Sequence, residues 1–388
     1  MQVRRIRAER FGAMIAVDAP AALVAVDRAL ARRIGVEGGA LWDGEDPGLD
    51  VERLEGPTEA HVALTERCPA GCRGCYADAT PEGHEPALAD ILERLDRLAE
   101  LGAFSVAFGG GEASLRDDLD VIVAHAQSRG LTPTLTTSGL GVTPHRVEKL
   151  RGLAQVNVSW DGPGEVYESV RGYAGASHAE RAVAVLQDAG IPVGINTVLT
   201  RRSFVALDAI AEGVDRMGAL ELQLLRFKPS GRGRLDYLAQ RLTSQQRDAF
   251  PDALRAISER HDFALRIDCA LVPFLAHAVS VDALRSFAVM GCEPGRSLMT
   301  VDAHGAVSPC SFWSTGPREP LDARSWDDDA WLTRFRESFV ALPEPCASCP
   351  ARNICRGGCR IVAGHVGGDP WQPDPECPRV AAYRRRYG

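Results

Sequence analysis

The sequence lacks the segments that would place the protein in a membrane or send it across one. It has no uninterrupted apolar run of about 18 residues, and Arg266 and Asp268 interrupt the longest candidate, FALRIDCALVPFLAHAV. Its first residues contain neither the long apolar core nor the cleavage-like site of a signal peptide. These absences predict a cytoplasmic protein without a membrane partner.

An excess of basic residues is also missing. The 388 residues include 44 Lys and Arg against 52 Asp and Glu, which gives a formal net charge of −8. Such a surface repels a phosphate backbone, so we expect no nucleic-acid partner. The sequence has no internal repeat or low-complexity segment. Its composition, 45% hydrophobic and 25% charged, is typical of a globular chain with one large and one smaller domain.

Cysteine, in contrast, is abundant, with 11 residues. Structural disulfides are rare in a reducing cytoplasm, which favours metal or redox chemistry. Cys68, Cys72 and Cys75 lie together in ERCPAGCRGCYAD, and Tyr76 follows them. Three local thiols could belong to a zinc site, a disulfide or a centre with an open position. A structural zinc site needs four ligands, whereas three thiolates on a [4Fe–4S] cluster leave one iron open.

The middle of the chain alternates predicted strands and helices. Six strands, from HVALT to LELQLLRFKPSG, each precede a helix or a loop and helix. This alternation predicts an α/β fold with parallel strands and right-handed crossovers. We therefore expect a partial (β/α)6 barrel over residues 58–265, with its chemistry at the C-terminal ends of the strands.

Two smaller units flank the predicted barrel. Residues 1–57 are expected to form a β-hairpin around Phe11 and Gly12, a helix over PAALVAVDRALARRI and a linker at GEDPGLD. Residues 266–388 are rich in irregularly spaced Gly, Pro and Cys, which predicts a small metal-binding module.

The first cysteine motif resembles the signature of the radical S-adenosylmethionine (SAM) superfamily, namely C-x3-C-x2-C followed by an aromatic residue. A second motif agrees with this resemblance. Gly110, Gly111 and Glu112 follow the second predicted strand, where the family uses such a motif to bind the amino group of SAM. Glycines allow close approach of the backbone, and a carboxylate can pair with an ammonium group. Ala113 replaces the usual next residue, proline.

The resemblance implies further SAM contacts. Tyr76 is expected to lie beside the cofactor, Ser159 and Asp161 to face its ribose, and Asn196 and Arg181 to contact the rest of the molecule. A surface or capping role is an equal alternative for the last two residues. The family reduces its cluster with an electron donor such as flavodoxin or ferredoxin. It then cleaves SAM to methionine and a 5′-deoxyadenosyl radical, which abstracts a hydrogen atom from the substrate.

The cysteines of the last third resemble a SPASM extension, which carries auxiliary [4Fe–4S] clusters. The resemblance implies three clusters in total, with the two auxiliary sets being Cys292, Cys310 and Cys359, and then Cys346, Cys349, Cys355 and Cys377. The first set is one ligand short. Ser286 stands where some relatives have a cysteine, and Cys269 lies in an apolar context typical of a buried thiol. We therefore expect an open position on this cluster, with Cys269 as the alternative fourth ligand.

The predicted function is modification of a ribosomally made peptide or protein by hydrogen abstraction, which ends in a cross-link or an oxidation. Tetrapyrrole side-chain processing and sulfatase maturation are the alternative enzyme functions. Ser311 follows Cys310 at a position where sulfatase-maturing relatives tend to carry an acidic residue, which disfavours the latter. An iron–sulfur electron carrier or a zinc-binding scaffold is the non-enzyme alternative. The motifs identify no catalytic acid or base. Arg226 and Lys228 could equally face the substrate or support the fold.

Overall fold

A computed structural model describes residues 2–18, 21–48 and 53–387. The strands of this part are Val3–Glu9 (β1), Gly12–Asp18 (β2), Ala21–Asp27 (β3), Glu59–Thr65 (β4), Ser105–Gly110 (β5), Thr132–Thr137 (β6), Gln155–Ser159 (β7), Val193–Leu199 (β8), Glu221–Arg226 (β9), Ala264–Ile267 (β10), Leu298–Val301 (β11) and Val307–Ser308 (β12).

The helices between Arg28 and Arg260 are Arg28–Arg33 (α1), Leu88–Glu100 (α2), Leu119–Ser128 (α3), Glu165–Arg171 (α4), Ala176–Asp188 (α5), Arg201–Val205 (α6), Leu207–Met217 (α7), Gly233–Gln240 (α8) and Ser244–Arg260 (α9). Those that follow are Val272–Leu275 (α10), Val281–Ser286 (α11), Ser325–Asp328 (α12), Ala330–Val340 (α13), Arg352–Cys355 (α14), Arg360–Gly367 (α15) and Pro378–Tyr387 (α16). Short 3-10 helices span Gly39–Trp42, Ala113–Leu115, Val147–Leu150 and Cys269–Leu271. No helix in the described ranges is long and apolar enough to cross a membrane.

The main sheet has nine strands in the order β10-β9-β8-β7-β6-β5-β4-β11-β12. The pairings from β4 to β10 are parallel, which confirms the predicted α/β fold and its six barrel strands. The structure adds β10 beside β9 and β11 beside β4. The parallel rhythm therefore extends to Ile267, just past the expected barrel boundary at residue 265.

Strand alternation separates the apolar core from a polar interior. On β4, Val62 and Leu64 are buried in the large core beneath the helices, whereas Glu59 and His61 are only half-buried on the opposite face. Successive strand residues point to opposite faces, so this second face lines the interior of the partial barrel. We call this interior space the lumen.

The N-terminal unit differs from the expected hairpin and helix. A third strand, β3, pairs antiparallel with β2 from Ala21 to Asp27, and helix α1 begins only at Arg28. The predicted helix started at Pro20, which lies outside the described residues, as do the last two residues of the predicted linker. A short aliphatic run such as AALVAV suits either structure locally, and pairing with the edge of β2 favours the strand.

Candidate active site and cysteine centres

The first three cysteines lie on a loop directly after β4, which we call the cysteine loop (residues 66–78). The amide of Cys68 donates to the carbonyl of Thr80 at 2.8 Å. Arg232, just before α8, donates from its backbone amide to the carbonyl of Cys75 (2.9 Å) and from Nε to that of Cys72 (3.0 Å). These bonds fix the loop at both ends and hold the three thiols at the C-terminal edge of the sheet.

The thiols of this loop are close enough to affect one another. Burial raises the pKa of Cys68, and the charges of Glu112, Cys72 and Cys75 raise it further. Crowded thiolates are stable only with a compensating positive charge, and iron–sulfur clusters provide it through direct Fe–S bonds. The donor set therefore fits a three-cysteine cluster.

The glycine turn after β5 packs directly against the start of the cysteine loop. Gly110 has φ +104°, and a Cβ atom there would lie 2.3 Å from the carbonyl oxygen of Thr65. A Cβ atom on Gly111 would lie 2.2 Å from that of Arg67. The amide of Gly111 donates to the carbonyl of Thr65 at 2.6 Å. These two glycines therefore permit a backbone approach that no larger residue could make.

The Glu112 carboxylate is buried and well bonded. It accepts hydrogen bonds from the Ser114 hydroxyl (2.6 Å), the Thr137 hydroxyl (2.5 Å) and the Ser138 amide (2.8 Å), and also from the Ser138 hydroxyl. A carboxylate offers about four acceptor positions. Glu112 thus ties the end of β5 to the end of β6, besides lying near the cysteine loop.

A cavity of about 580 Å³ joins these two motifs. Its lining includes Cys68 on one side and Glu112 on the other, with Glu85, Arg116 and Asp118 between them. Small-molecule sites typically have volumes of about 300–1,000 Å³. The cavity therefore has room for a molecule that contacts both the cysteine loop and the glycine turn.

Ser159, the last residue of β7, is paired by the backbone register with Asn196 in the middle of β8. Both side chains are buried, and Asn196 Oδ1 has no hydrogen-bond partner. A buried polar atom without a partner is costly unless a bound group satisfies it. This unsatisfied oxygen fits the expected cofactor contact of Asn196.

Asp161 and Arg181 lie in surroundings that differ from those of Ser159 and Asn196. Asp161 is fully buried, and it accepts from Arg171 Nε at 2.5 Å and from the Val198 amide at 2.6 Å. Burial disfavours the charged form of Arg171, but the charges of Asp161 and Cys72 outweigh it and raise the Arg171 pKa. Arg181 is exposed on α5 and bonded to His178. The expected cofactor contacts of Asp161 and Arg181 thus stay predictions.

Tyr76 faces the lumen. Burial, followed by the charge of Cys75, raises the pKa of the Tyr76 hydroxyl, although 38% of the side chain is exposed. The exposed part therefore faces an internal space. Its ring lies 4.9 Å from that of Phe312, and Lys228 Nζ lies 4.1 Å from the Phe312 ring centre. The segment after Cys310 thus reaches into the barrel beside the cysteine loop.

A hydrogen-bonded chain of polar groups crosses the lumen from β4 to this same segment. His61 Nδ1 lies 3.0 Å from Ser311 Oγ, and His61 Nε2 lies 2.9 Å from Glu59 Oε1. Burial raises the pKa of Glu59, but its hydrogen bond to His61 and the charge of that imidazole outweigh burial and lower the pKa. The carboxylate accepts a proton from Nε2, and Nδ1 lies within hydrogen-bond distance of the Ser311 hydroxyl.

Arg226 and Lys228, at the end of β9, form buried ion pairs. Arg226 contacts Asp374 at 2.6 Å and Glu376 at 2.8 Å, while Lys228 contacts Asp268 at 2.5 Å. Burial disfavours the charge of Lys228, but Asp268 and Cys269 more than compensate and raise its pKa. Both cations therefore support the junction between the barrel and the C-terminal residues.

Cys269, the alternative fourth ligand of the first auxiliary set, lies close to the cysteines expected in that set. Burial raises the pKa of Cys269 well above its usual value, and the charges of Asp268, Cys292 and Cys359 raise it further. Burial and neighbouring thiolates likewise raise the pKa of Cys310, to about 12, with Cys359 among the causes. Cys269 thus lies among the three expected ligands, which favours a closed set of four thiols over an open position.

The second auxiliary set surrounds a small cavity of its own, lined by Cys346, Cys349, Cys355 and Cys377. Burial, followed by the charges of Cys377 and Cys349, raises the pKa of Cys346 to about 12. No group of three or more His, Cys, Asp or Glu side chains in the described ranges is arranged to hold a single metal ion.

Sequence reasoning missed three parts of this site. It did not assign Thr137 and Ser138 to Glu112, although both follow a predicted strand at the same edge of the sheet. The His61–Ser311 contact joins residues 250 positions apart, so no local pattern indicates it. Cys269 follows β10, and its position after a seventh strand was the one signal that could have identified it.

Comparisons with known proteins agree with this geometry. Residues 62–203 match the family model described as the Radical SAM superfamily. The chain is 30% identical over 352 residues to the PqqA peptide cyclase of Ruegeria pomeroyi, which covers 87% of this chain and 90% of that protein. It is 27% identical over 370 residues to the pre-heme d1 synthase of Dinoroseobacter shibae, covering 86% and 91% of the two chains.

Among solved structures, the fold is similar to that of Streptococcus suis SuiB bound to S-adenosylmethionine. The TM-score is 0.73 at 16% sequence identity, and the match covers 96% of this chain and 98% of that one. This likeness shows a shared fold that extends beyond the barrel to almost the whole chain.

Proposed function

The chain belongs to the radical SAM superfamily and is an enzyme that uses a [4Fe–4S] cluster and SAM, and from this premise we propose that it modifies a ribosomally made peptide or protein. The observation that carries the proposal is the cavity between Cys68 and Glu112, beside a polar lumen. The similarity to a peptide cyclase over most of both chains supports a peptide substrate. Hydrogen abstraction then leads to a cross-link or an oxidation.

Cys68, Cys72 and Cys75 hold the SAM-binding cluster in this proposal. The glycine turn, Glu112, Tyr76, Ser159 and Asn196 surround the cofactor. When bound, the cluster and SAM together supply a carbon radical that abstracts hydrogen. The protein's task is to orient the substrate in the lumen and to exclude water, and the Tyr76 and Phe312 rings, which contact each other at a tilt of 43°, shield one side of that space.

The two C-terminal cysteine sets hold auxiliary clusters, which brings the proposed total to three. Cys269 completes the first set with Cys292, Cys310 and Cys359. Each set then has four thiols, which is the usual ligand number of a [4Fe–4S] cluster. This arrangement assigns the first auxiliary cluster to electron transfer rather than to direct substrate binding.

The chain Ser311–His61–Glu59 accepts the substrate proton. Oxidation of a substrate radical releases one electron and one proton, and an auxiliary cluster held by the C-terminal cysteine sets would supply the electron acceptor. Ser311 Oγ donates its own proton to His61 Nδ1, 3.0 Å away, as it takes one from the substrate. Glu59 stabilises the resulting imidazolium.

A peptide-mass experiment tests the proposed function. The protein is co-expressed with a short peptide encoded beside its gene, and the peptide mass is measured. A loss of two hydrogen atoms that disappears in Cys72→Ala supports the proposal. An unmodified peptide, together with conversion of a tetrapyrrole by the same protein, would instead establish the second candidate, which the similarity to a pre-heme d1 synthase favours.

A further inference from the structure

Helix α8 joins the cysteine loop to the protein surface. Gly231 and Gly233 approach the loop so closely that added Cβ atoms would lie 2.4 Å from the carbonyl of Cys75 and 3.3 Å from that of Gly74. Arg232, between them, bonds the carbonyls of Cys72 and Cys75. The element that begins on the cluster loop therefore continues directly to the outside of the molecule.

The outer face of α8 is unusually apolar for a surface helix. Leu235 is 88% exposed and Leu238 is 57% exposed, and their spacing of three places them on one face. The Arg201 side chain on α6 donates to the carbonyl of Leu238 at 3.1 Å, and Val205, one turn further along α6, is 81% exposed. The two leucines form an exposed apolar face on α8, and Val205 adds an exposed apolar side chain on α6, which is bonded to α8 through Arg201. Exposed apolar side chains gathered in this way mark an interaction surface.

Positive charge surrounds this apolar area. Residues 71–78, 201–205 and 231–241 contain six arginines and two aspartates. Arg232 and Arg73 pair with the two aspartates, Asp78 and Asp236. Exposed carboxylates beyond its rim include Glu165 and Glu168 on α4 and Asp208 on α7, which pairs with Arg260. The whole chain carries a net charge of −8, so this positive surface is a local exception.

We propose that Arg73, Arg201, Val205, Arg234, Leu235 and Leu238, named here the α6–α8 patch, dock an acidic one-electron carrier protein of the flavodoxin or ferredoxin class. The inference rests on the proposed function, which needs one electron delivered to the cluster for each SAM cleaved. Electron transfer falls steeply with distance, and this patch is the outer end of the helix that touches the cluster loop. Complementary charge attracts the carrier to the patch, and the leucines form the apolar, water-excluding centre of the interface.

The proposed step is the transfer of a single electron. The reduced carrier loses one electron and the cluster gains it, with no bond made or broken and no proton moved. The apolar centre and positive rim also match the usual anatomy of a transient interface. A nucleic acid would require a far more positive surface than this patch offers within an acidic protein.

The test compares two reductants on the holoprotein. SAM cleavage, measured as 5′-deoxyadenosine, is driven either by dithionite or by an acidic flavodoxin reduced with its reductase. Arg201→Glu/Arg234→Glu should lower the flavodoxin-driven rate by about tenfold or more, because it reverses two rim charges. The same variant should leave the dithionite-driven rate unchanged within about twofold, because neither residue contacts the cluster loop.

Two matched variants sharpen the comparison. Leu235→Gln/Leu238→Gln keeps every charge and should also weaken only the flavodoxin-driven reaction. Arg216→Glu/Arg255→Glu reverses two exposed charges on α7 and α9, far along these helices from the C-terminal edge of the sheet. It should change neither rate.

Binding of oxidised flavodoxin to each holoprotein, measured by calorimetry, supplies a readout that needs no turnover. Equal affinity for the wild type and for Arg201→Glu/Arg234→Glu would overturn the docking proposal, as would equal loss of both rates. Binding of an acidic peptide in place of flavodoxin would overturn it too. A wild-type holoprotein that binds flavodoxin at this patch but cleaves no SAM with dithionite would contradict the proposed function and leave docking supported.

Discussion

Among single residues, Cys269 has the clearest consequence for the chemistry. Its thiol lies beside Lys228 and Asp268, and its pKa is raised by burial and then by Asp268 and Cys292. A merely buried thiol would cost little to replace with alanine, typically about 1 kcal/mol or less for so small a change. A fourth cluster ligand, in contrast, cannot be replaced by a methyl group.

Cys269→Ala should therefore remove or alter the spectrum of one auxiliary cluster in folded, anaerobically purified protein. The measurement is electron paramagnetic resonance after reduction, together with iron content. Ser286→Ala is the matched control, because Ser286 is exposed on α11 and should not affect any cluster. Intact spectra in Cys269→Ala would restore the open position that the sequence predicts.

Glu112 should increase the affinity for SAM through the residues that donate hydrogen bonds to its carboxylate. Glu112→Gln keeps the shape but removes the charge and turns an amide group toward the Thr137 and Ser138 donors. We expect SAM binding to weaken by about tenfold, which corresponds to about 1.4 kcal/mol, with the three-cysteine cluster retained. Equilibrium dialysis with SAM measures this effect. Ser138→Ala removes only the hydroxyl donor and keeps the hydrogen bond from the backbone amide, so its loss of affinity should be smaller. Equal affinities in all three proteins would remove Glu112 from the site.

At the level of elements, the junction of β9 with the C-terminal residues depends on one buried cation. Arg226 is bonded to Asp374 and Glu376, and Asp374 also accepts from the backbone amide of Cys359 at 3.1 Å. Arg226→Met would leave the Asp374 carboxylate buried without its cation and would remove one of the two cations hydrogen-bonded to Glu376. We expect the free energy of unfolding to fall by about 3–5 kcal/mol.

Chemical denaturation of Arg226→Met and Arg241→Met measures this difference. Arg241 also pairs with Glu376, at 2.7 Å, but its side chain is 30% exposed, and water can replace it. Its loss should cost about 1 kcal/mol or less. Similar losses in the two variants would show that Arg226 does not hold the junction.

Elements with a strong local pattern could be predicted from the sequence, and those decided by distant contacts could not. The six barrel strands were predictable because short apolar-rich segments recur regularly, each before a helix or a loop and helix. Strand β3 was taken for a helix because its aliphatic run is ambiguous until it pairs with β2. Within the site, the placement of Cys68 and Glu112 after strand ends was predictable, whereas the surroundings of Cys269 and the Ser311–His61 bond depend on long-range packing.

For the whole molecule, cluster loading should depend on pH. Burial and neighbouring charges raise the pKa of Cys310 and of Cys346 to about 12, so these thiols are protonated at neutral pH without metal. Each must lose its proton to bind iron. Iron uptake by metal-free protein should therefore become more favourable from about pH 6.5 to about pH 8.5.

Competition with a chelator of known affinity at each pH measures this trend, after correction for the chelator's own protonation. Full loading should approach ~12 iron and ~12 sulfide per chain, or four of each per cluster. Uptake that is independent of pH would mean that the thiols are already deprotonated. Stoichiometric zinc in place of iron after anaerobic purification would contradict the cluster assignment.

The central claim is that the cysteine loop and the cavity beside it cleave SAM. The most direct measurement is 5′-deoxyadenosine formed by dithionite-reduced holoprotein with SAM, quantified by mass spectrometry without any peptide. The wild type should form it slowly, and Cys72→Ala should form none, because that change removes one ligand of the SAM-binding cluster. Absence of 5′-deoxyadenosine from fully loaded wild-type protein, or equal amounts from Cys72→Ala, would contradict the account.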